Sequence, residues 1–296
     1  MAAGVEDAAH WAAMIQDEVA ALPPEEQASR ADSLLRMCLD GMPPAYVLGK
    51  QKFMGLTLIV ARGVVFPRPV TERVARVGLR VMADLHQHHP GRQLRVVDMC
   101  SGSGNLACAI AFHDPACQAW SCDLMPAASE LARQNVARFG LEDRVAVRTG
   151  DLFGALACDD LKGAIDTIVC APPFISTGRL AKDRASLLRH EPREAFDAGP
   201  YGLGIHQRVS VEAASFLRPG GYLILEVGQG QSKQVCMLLA RTRAYDEVAA
   251  LDENGDGNNL VVQCRRTGAE SSVSESPLQD ADVTPNCSPV PKREDL

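Results

Sequence analysis

Apolar and polar positions recur with two different periods along this chain, and the change between them divides it. Through residues 5–40 the apolar spacing is helical. Ala9, Trp11, Ala12 and Ile15 mark one helix, Ala31, Leu34, Leu35, Met37 and Cys38 a second, and Pro23-Pro24 breaks the chain between them. Residues 46–66, YVLGKQKFMGLTLIVARGVVF, alternate with period two and are punctuated by Gly49, Gly55 and Gly63, which predicts a hairpin. A helix is predicted next, over 70–85. From residue 94 short apolar runs alternate with helical spacing. Strands are predicted at 94–99, 119–123, 145–151, 165–170, 220–228 and 259–266. Helices are predicted at 105–113, 126–140, 204–217 and 232–242, with a helical stretch after residue 151. Such alternation implies right-handed crossovers and a mainly parallel α/β sheet. It reaches seven strands if the irregular region after Phe174 supplies one. Ligands on such a sheet lie at the carboxyl ends of the strands, beside the point where strand order reverses.

Two helices bury only a small core, so the first 45 residues are expected to lean on the rest of the chain. The tail from 267 is rich in Ser, Pro and acid and is expected to be disordered. A formal charge of −7 argues against a protein that grips nucleic acid through phosphates. No apolar run reaches the roughly 18 residues of a membrane span, and the N-terminus has no secretion pattern. The 10 cysteines show no C-x-x-C pair and no zinc spacing, which suggests mostly buried thiols in a reducing cytoplasm and no metal site.

The candidate chemistry falls on the strand ends. In VVDMCSGSGNLA, Gly102 and Gly104 let the backbone turn and approach a ligand, and Asn105 opens a helix. The spacing also fits a dinucleotide fingerprint. Asp98, however, closes the strand before the loop, where it would repel a pyrophosphate and attract a cationic amino-acid moiety. The loop itself offers hydroxyls and no basic side chain. Asp123 ends the second strand, about 20 residues on, where a carboxylate can accept both ribose hydroxyls or cap the next helix. Asp151, in GDLF, can receive an adenine amine or serve a turn. The strand 165–170 stops at Ala171-Pro172-Pro173-Phe174, because proline has no N–H to extend a ladder. Pro219-Gly220-Gly221 forms a structural turn into the next strand. Cys170 reads as core, Tyr201 as turn packing, and HQHHP at 86–90 as a polar loop. DENGDGNN at 252–259 echoes a calcium loop but lacks its closing glutamate, and reads as a hairpin turn.

DMCSGSGN, the CD at 122–123, GDLF, CAPPF and LRPGG, in this order and spacing, resemble class I S-adenosylmethionine-dependent methyltransferases. YVLGKQKFMGL, FPRPVTE and HEPREAFDAGPYGLG bring the resemblance closer, to the release-factor glutamine methyltransferase (HemK/PrmC-like) family, over about residues 44–265. The resemblance implies a Rossmann-like seven-stranded sheet whose last strand is antiparallel. It also implies a helical N-terminal domain (1–45), a hairpin linker (46–69), a catalytic domain (70–266) and the tail (267–296). It implies S-adenosylmethionine as cofactor, with Asp98, Cys100, Ser101, Gly102, Gly104 and Asn105 at the methionyl end. Asp123 and Leu124 would lie at the ribose, Asp151 and Leu152 at the adenine, and Phe66 and Arg68 in the segment that closes over the cofactor. Ala171, Pro172, Pro173 and Phe174 would form the transfer corner. His190 and Glu191, in the E-P segment, are the candidate bases.

Three departures bear on function. Cys100 replaces the family's first loop glycine, which is tolerable where φ is negative. The N-terminal domain is short for one that helps to bind a release factor. Ala171 and Phe174 stand where the family has Asn-Pro-Pro-Tyr, and alanine cannot accept a hydrogen bond from an amide nitrogen, an interaction worth about 1–3 kcal/mol. These departures favour methyl transfer to an N or O atom of a small-molecule or amino-acid- or peptide-like acceptor, in the cytoplasm, without nucleic acid or membrane. The alternatives are release-factor glutamine methylation, a catalytically silent cofactor-binding module and, against Asp98 and APPF, a nicotinamide oxidoreductase.

Overall fold

A computed structural model of the chain describes residues 6–268 apart from 183, 254 and 256. The tail expected to be disordered falls, from residue 269 on, outside the described residues, as do Asn254 and Asp256 of the 252–259 loop. Helices α1 (Glu6–Ala20), α2 (Pro24–Leu39) and α3 (Pro44–Leu48) precede the hairpin β1 (Lys50–Phe53) and β2 (Leu56–Ile59). α3 straddles the expected boundary at 45/46; five residues between Pro43 and Gly49 are too short to carry a readable period. The helical piece leans on the hairpin, as expected, through Lys52 to Asp17 at 2.7 Å and through Lys50 to Glu18.

The larger unit runs α4 (Glu72–His88), β3 (Leu94–Met99), α5 (Asn105–His113), β4 (Cys117–Asp123), α6 (Pro126–Arg138), β5 (Val145–Thr149) and β6 (Ile165–Cys170). It continues with α7 (Thr177–Lys182), α8 (Gly204–Phe216), β7 (Leu217–Glu226), α9 (Ser232–Thr242), β8 (Tyr245–Leu251) and β9 (Val261–Arg266). The sheet order is β5-β4-β3-β6-β7-β9-β8. β9 is antiparallel to both its neighbours and the other pairings are parallel. This is an α/β, Rossmann-like seven-stranded sheet with its last strand antiparallel. α4 and α5 pack Val74, Val77, Val81, Leu106 and Ile110 onto one face of the sheet. α8 and α9 cover the other with Val209, Ala213, Val235 and Leu239, beside the stacked rings of Phe153 and Phe216.

Two strand expectations need correction. The seventh strand comes from residues 245–251, not from the region after Phe174, which contributes a single bridge between Ile175 and Asp197. YDEVAAL hides itself because it is an edge strand. It carries two acids, is half exposed, and contains a bulge at Glu247 with φ +50°. The turn at Pro219 is a bulge inside β7: Ile165 pairs with Leu217 and Thr167 with Tyr222, so residues 218–221 lie outside the ladder.

Candidate functional site

Strand order reverses between β3 and β6, and the carboxyl ends of β4, β3, β6 and β7 meet along one edge. A cavity of about 980 Å³ opens there. Cys100, Ser101, Gly102 and Asn105 line it from the loop after β3. Asp123, Leu124, Asp151 and Leu152 line it from β4 and β5. Phe66 and Arg68 reach it from the segment after the hairpin, and Ala171, Pro172, Pro173 and Phe174 from the end of β6. Elements distant in sequence thus bring most of the expected residues to one space; Asp98, Gly104, His190 and Glu191 are not among its lining residues.

Asp98 lies fully buried at the end of β3. Its Oδ2 accepts the Ala107 N–H at 2.9 Å, while Oδ1 has no partner among the described residues. Burial, with help from Asp123, pushes its carboxyl up to about 8. A buried carboxylate with an unpartnered acceptor calls for a cation. Asp123 has a double attachment: Oδ2 accepts Gly102 N–H at 2.8 Å and Oδ1 accepts Met125 N–H at 2.9 Å. It therefore holds the glycine loop against β4 and also faces the cavity. Burial raises its pKa in spite of these bonds. The loop hydroxyls turn inward: Ser101 and Ser103 are buried, and the Ser101 hydroxyl accepts from Ser121 at 2.8 Å. Gly104, at φ +75°, opens α5 where a Cβ would stand 3.0 Å from that of Ala132. Asn135 ties this loop to the hairpin, accepting Ile59 N–H at 2.7 Å and donating to Ser103 O at 3.0 Å.

Cys100 corrects an expectation. Its φ is +61°, the left-handed conformation that a side chain strains. Cys100→Gly is expected to raise stability by about 0.5–1 kcal/mol, the released strain less the added freedom of the unfolded chain. Denaturant midpoints measure it; a lower midpoint would mean that the thiol's contact with Cys170 outweighs the strain.

His190 and Glu191 are the second correction. Among the described residues the cavity lining includes neither. Arg68 holds the Glu191 carboxylate through Nη2 at 2.6 and 2.7 Å, and the Tyr46 hydroxyl donates to it at 3.2 Å. The Arg68 guanidinium also lies 3.5 Å over the Phe66 ring. Glu191 therefore anchors the 66–71 segment, its carboxylate held by Arg68 away from the cavity lining. The His190 ring tilts against Tyr46, and its carbonyl accepts Gly63 N–H. Asp151 lines the cavity, but its carboxylate already meets Arg208 of α8 at 2.9 and 3.1 Å. Tyr201 is 87% exposed. His86 bonds Asp114, and no cluster of three or more metal-ligating side chains occurs among the described residues.

Among the cavity residues that escaped the sequence reading, two stand out. Gln231 clamps the transfer corner: it accepts Gly228 N–H at 2.9 Å and donates to Phe174 O at 3.0 Å and Gly202 O at 3.2 Å. Gly202, at φ +72°, leaves room for this, since a Cβ there would meet Phe174 O at 2.7 Å. The other is Glu226, which ends β7 as Asp98 and Asp123 end or nearly end theirs. That shared pattern, an acid closing an apolar strand, was the signal present in LILEVG.

A family model described as methyltransferase small domain matches residues 72–199. The release factor glutamine methyltransferase of Moorella thermoacetica is 34% identical over 226 residues, 76% of either chain. The chain belongs to that glutamine methyltransferase (HemK/PrmC-like) family. It is an S-adenosylmethionine-dependent methyltransferase. The ribosomal protein uL3 glutamine methyltransferase of Bordetella pertussis is 34% identical over 208 residues, 69% of this chain and 66% of that one. A 4-amino-L-phenylalanine/4-methylamino-L-phenylalanine methyltransferase of Streptomyces pristinaespiralis is 32% identical over 229 residues, 77% and 76% of the two chains. The methyltransferase has no helix long and apolar enough to cross a membrane among its described residues.

Proposed function

We propose that this methyltransferase acts on the amine nitrogen of an amino-acid-like or peptide-like acceptor, and poorly on a glutamine amide. The observation that carries the reading is Ala171 at the cavity corner, level with the end of β7. An amide's nitrogen lone pair is delocalised into its carbonyl, so an amide acceptor depends on a side chain that accepts its N–H and orients it. Alanine offers none. A neutral amine, even on an aromatic ring, keeps its lone pair far more available than an amide does, and needs alignment and the loss of one proton. The Streptomyces relative, named for an aromatic amine, supports the same direction.

S-adenosylmethionine supplies an electrophilic methyl on a sulfonium, whose S–C electron pair stays on sulfur. In this reading Asp98 holds the cofactor's ammonium and Asp123 its ribose. The Phe66–Arg68 segment, pinned by Glu191, excludes water. Pro172 and Pro173, stiff and held by Gln231 through Phe174, fix the acceptor's approach. The names of most relatives favour release-factor glutamine as the second reading.

Transfer of labelled methyl to 4-amino-L-phenylalanine and to a release factor carrying Gly-Gly-Gln separates the two. The amine is expected to be labelled and the release factor scarcely so, and Ala171→Asn is expected to raise release-factor labelling about tenfold, within the worth of one restored polar contact. Release-factor turnover by the unaltered protein equal to that of the amine would defeat the amine reading.

A further inference from the structure

Position 171 lost its acceptor, yet the same corner holds another. Cys170 pairs with Leu225 in the parallel ladder of β6 and β7, so Ala171 and Glu226 are the next residues level with each other on adjacent strands. They also share a face: Val169 and Ile224, two residues back on each strand, belong to the core beneath α4, and Ala171 packs against that core. Neighbouring strands are about 4.8 Å apart. The Glu226 side chain thus stands beside the space that the family's asparagine would fill. It lines the cavity, and its residue is 6% exposed. Thr71 lies close enough to favour the charged carboxylate, while Oε2 has no partner among the described residues.

We propose that Glu226 receives the acceptor nitrogen, bonding its N–H through Oε2 and taking up its proton. The inference rests on the amine reading above. As the nitrogen's lone pair forms the new N–CH3 bond, one N–H bond breaks, its electron pair remains on nitrogen, and the proton passes to the carboxylate. The products are a neutral N-methylamine and a protonated Glu226. Bulk water regains that proton when the product leaves.

The surroundings suit this role. Burial lifts the Glu226 carboxyl to about 7, against the opposing pull of Thr71, Arg73 and Arg68. A base titrating near the working pH transfers protons efficiently. The other titratable groups packed around it are the buried Cys170 thiol of β6 and His206 of α8, whose Nε2 donates to the Glu226 backbone carbonyl at 2.8 Å. Burial holds His206 neutral, so it does not compete for the role of counter-ion. Arg73 donates to Asn258 O at 3.2 Å, which keeps its guanidinium tied toward the β8–β9 connection.

Glu226→Gln keeps the shape and removes the base. With 4-amino-L-phenylalanine as acceptor, kcat is expected to fall at least 30-fold, and the rise of rate with pH through about 7 is expected to disappear. Calorimetry on the S-adenosylhomocysteine-bound protein should show weaker amine binding, with cofactor affinity within twofold of the unaltered chain. Glu226→Asp should recover part of the rate with the pH limb retained. If the amine is methylated by Glu226→Gln at an unchanged rate and pH profile, the inference fails and the amine reading stands. If the release factor is methylated and the amine is not, the amine reading fails; a Glu226→Gln loss on the release factor would then keep the residue's role, and an unchanged rate would overturn it. Methylation of neither acceptor overturns both.

Discussion

Asp98→Asn is expected to weaken S-adenosylmethionine binding about 100-fold. The asparagine oxygen can still accept the Ala107 N–H, so α5 keeps its start, but the amide's NH2 then occupies the place of the unpartnered Oδ1 and faces a cation with donors. A charged hydrogen bond is lost at a fully buried carboxylate, worth about 1.5–3 kcal/mol. The pH dependence carries a sign of its own. The folded carboxyl titrates at about 8, far above an unfolded aspartate. Without cofactor the folded protein therefore binds more protons than the unfolded chain between those two values, and stability falls as pH rises through that window. A bound cation favours the carboxylate, so cofactor uptake at pH 7 should release a proton. Calorimetry in buffers of different ionisation enthalpy measures that release; the asparagine variant should bind without it and should be the more stable of the two in the cofactor-free state at pH 8. Unaltered affinity in Asp98→Asn would remove Asp98 from the cofactor site.

Arg68→Met is expected to lower stability by about 3 kcal/mol, or roughly 6–12 °C in Tm for a folded chain of this size. The Glu191 side chain is 3% exposed and Arg68 is 31% exposed, so removing the guanidinium strands a carboxylate that water barely reaches. The Tyr46 hydroxyl remains, but one neutral donor does not replace a two-oxygen ion pair. Burial already raises the Glu191 carboxyl against the pull of Arg68. Once Arg68 is gone that carboxyl rises further, so the loss should shrink at acid pH, where it protonates, grow as pH climbs toward its folded value, and level off above it. Arg68→Met with Glu191→Leu should recover most of the loss, because the double change leaves no unpaired charge. Additive losses in the double variant would show that the pair is not coupled. Loosening the 66–71 segment should also weaken cofactor affinity in Arg68→Met and spare it in the double variant.

Much of the molecule was legible in the order of its residues. Short, mostly apolar runs announced β3, β4, β6 and β7, because a parallel strand buried on both faces is largely apolar. The glycine loop, the acids at 98 and 123 and the two prolines at 172–173 were visible because each is forced by a local requirement: a tight turn, a charge at a strand end, a missing N–H. β8 was not legible, since an edge strand can be polar and bulged. Glu191 misled for a different reason. Its motif lies near the site, but the direction of its side chain depends on Arg68 and Tyr46, 123 and 145 residues away. The cysteine at 100 gave no sign of its left-handed backbone, which only the family's glycine at that position hinted at and which the loop imposes against the preference of a side chain.

Period, turn and residue type are properties of short stretches, so the sheet, the cofactor loop and the lack of an amide-orienting asparagine are written along the chain itself. Which acids are spent and which are free is not. Folding pairs Glu191 with Arg68, ties Asp151 to Arg208, and leaves a buried Glu226 oxygen without a partner among the described residues. A carboxylate's chemistry depends on its distance to partners and to water, and strand register and helix packing set both.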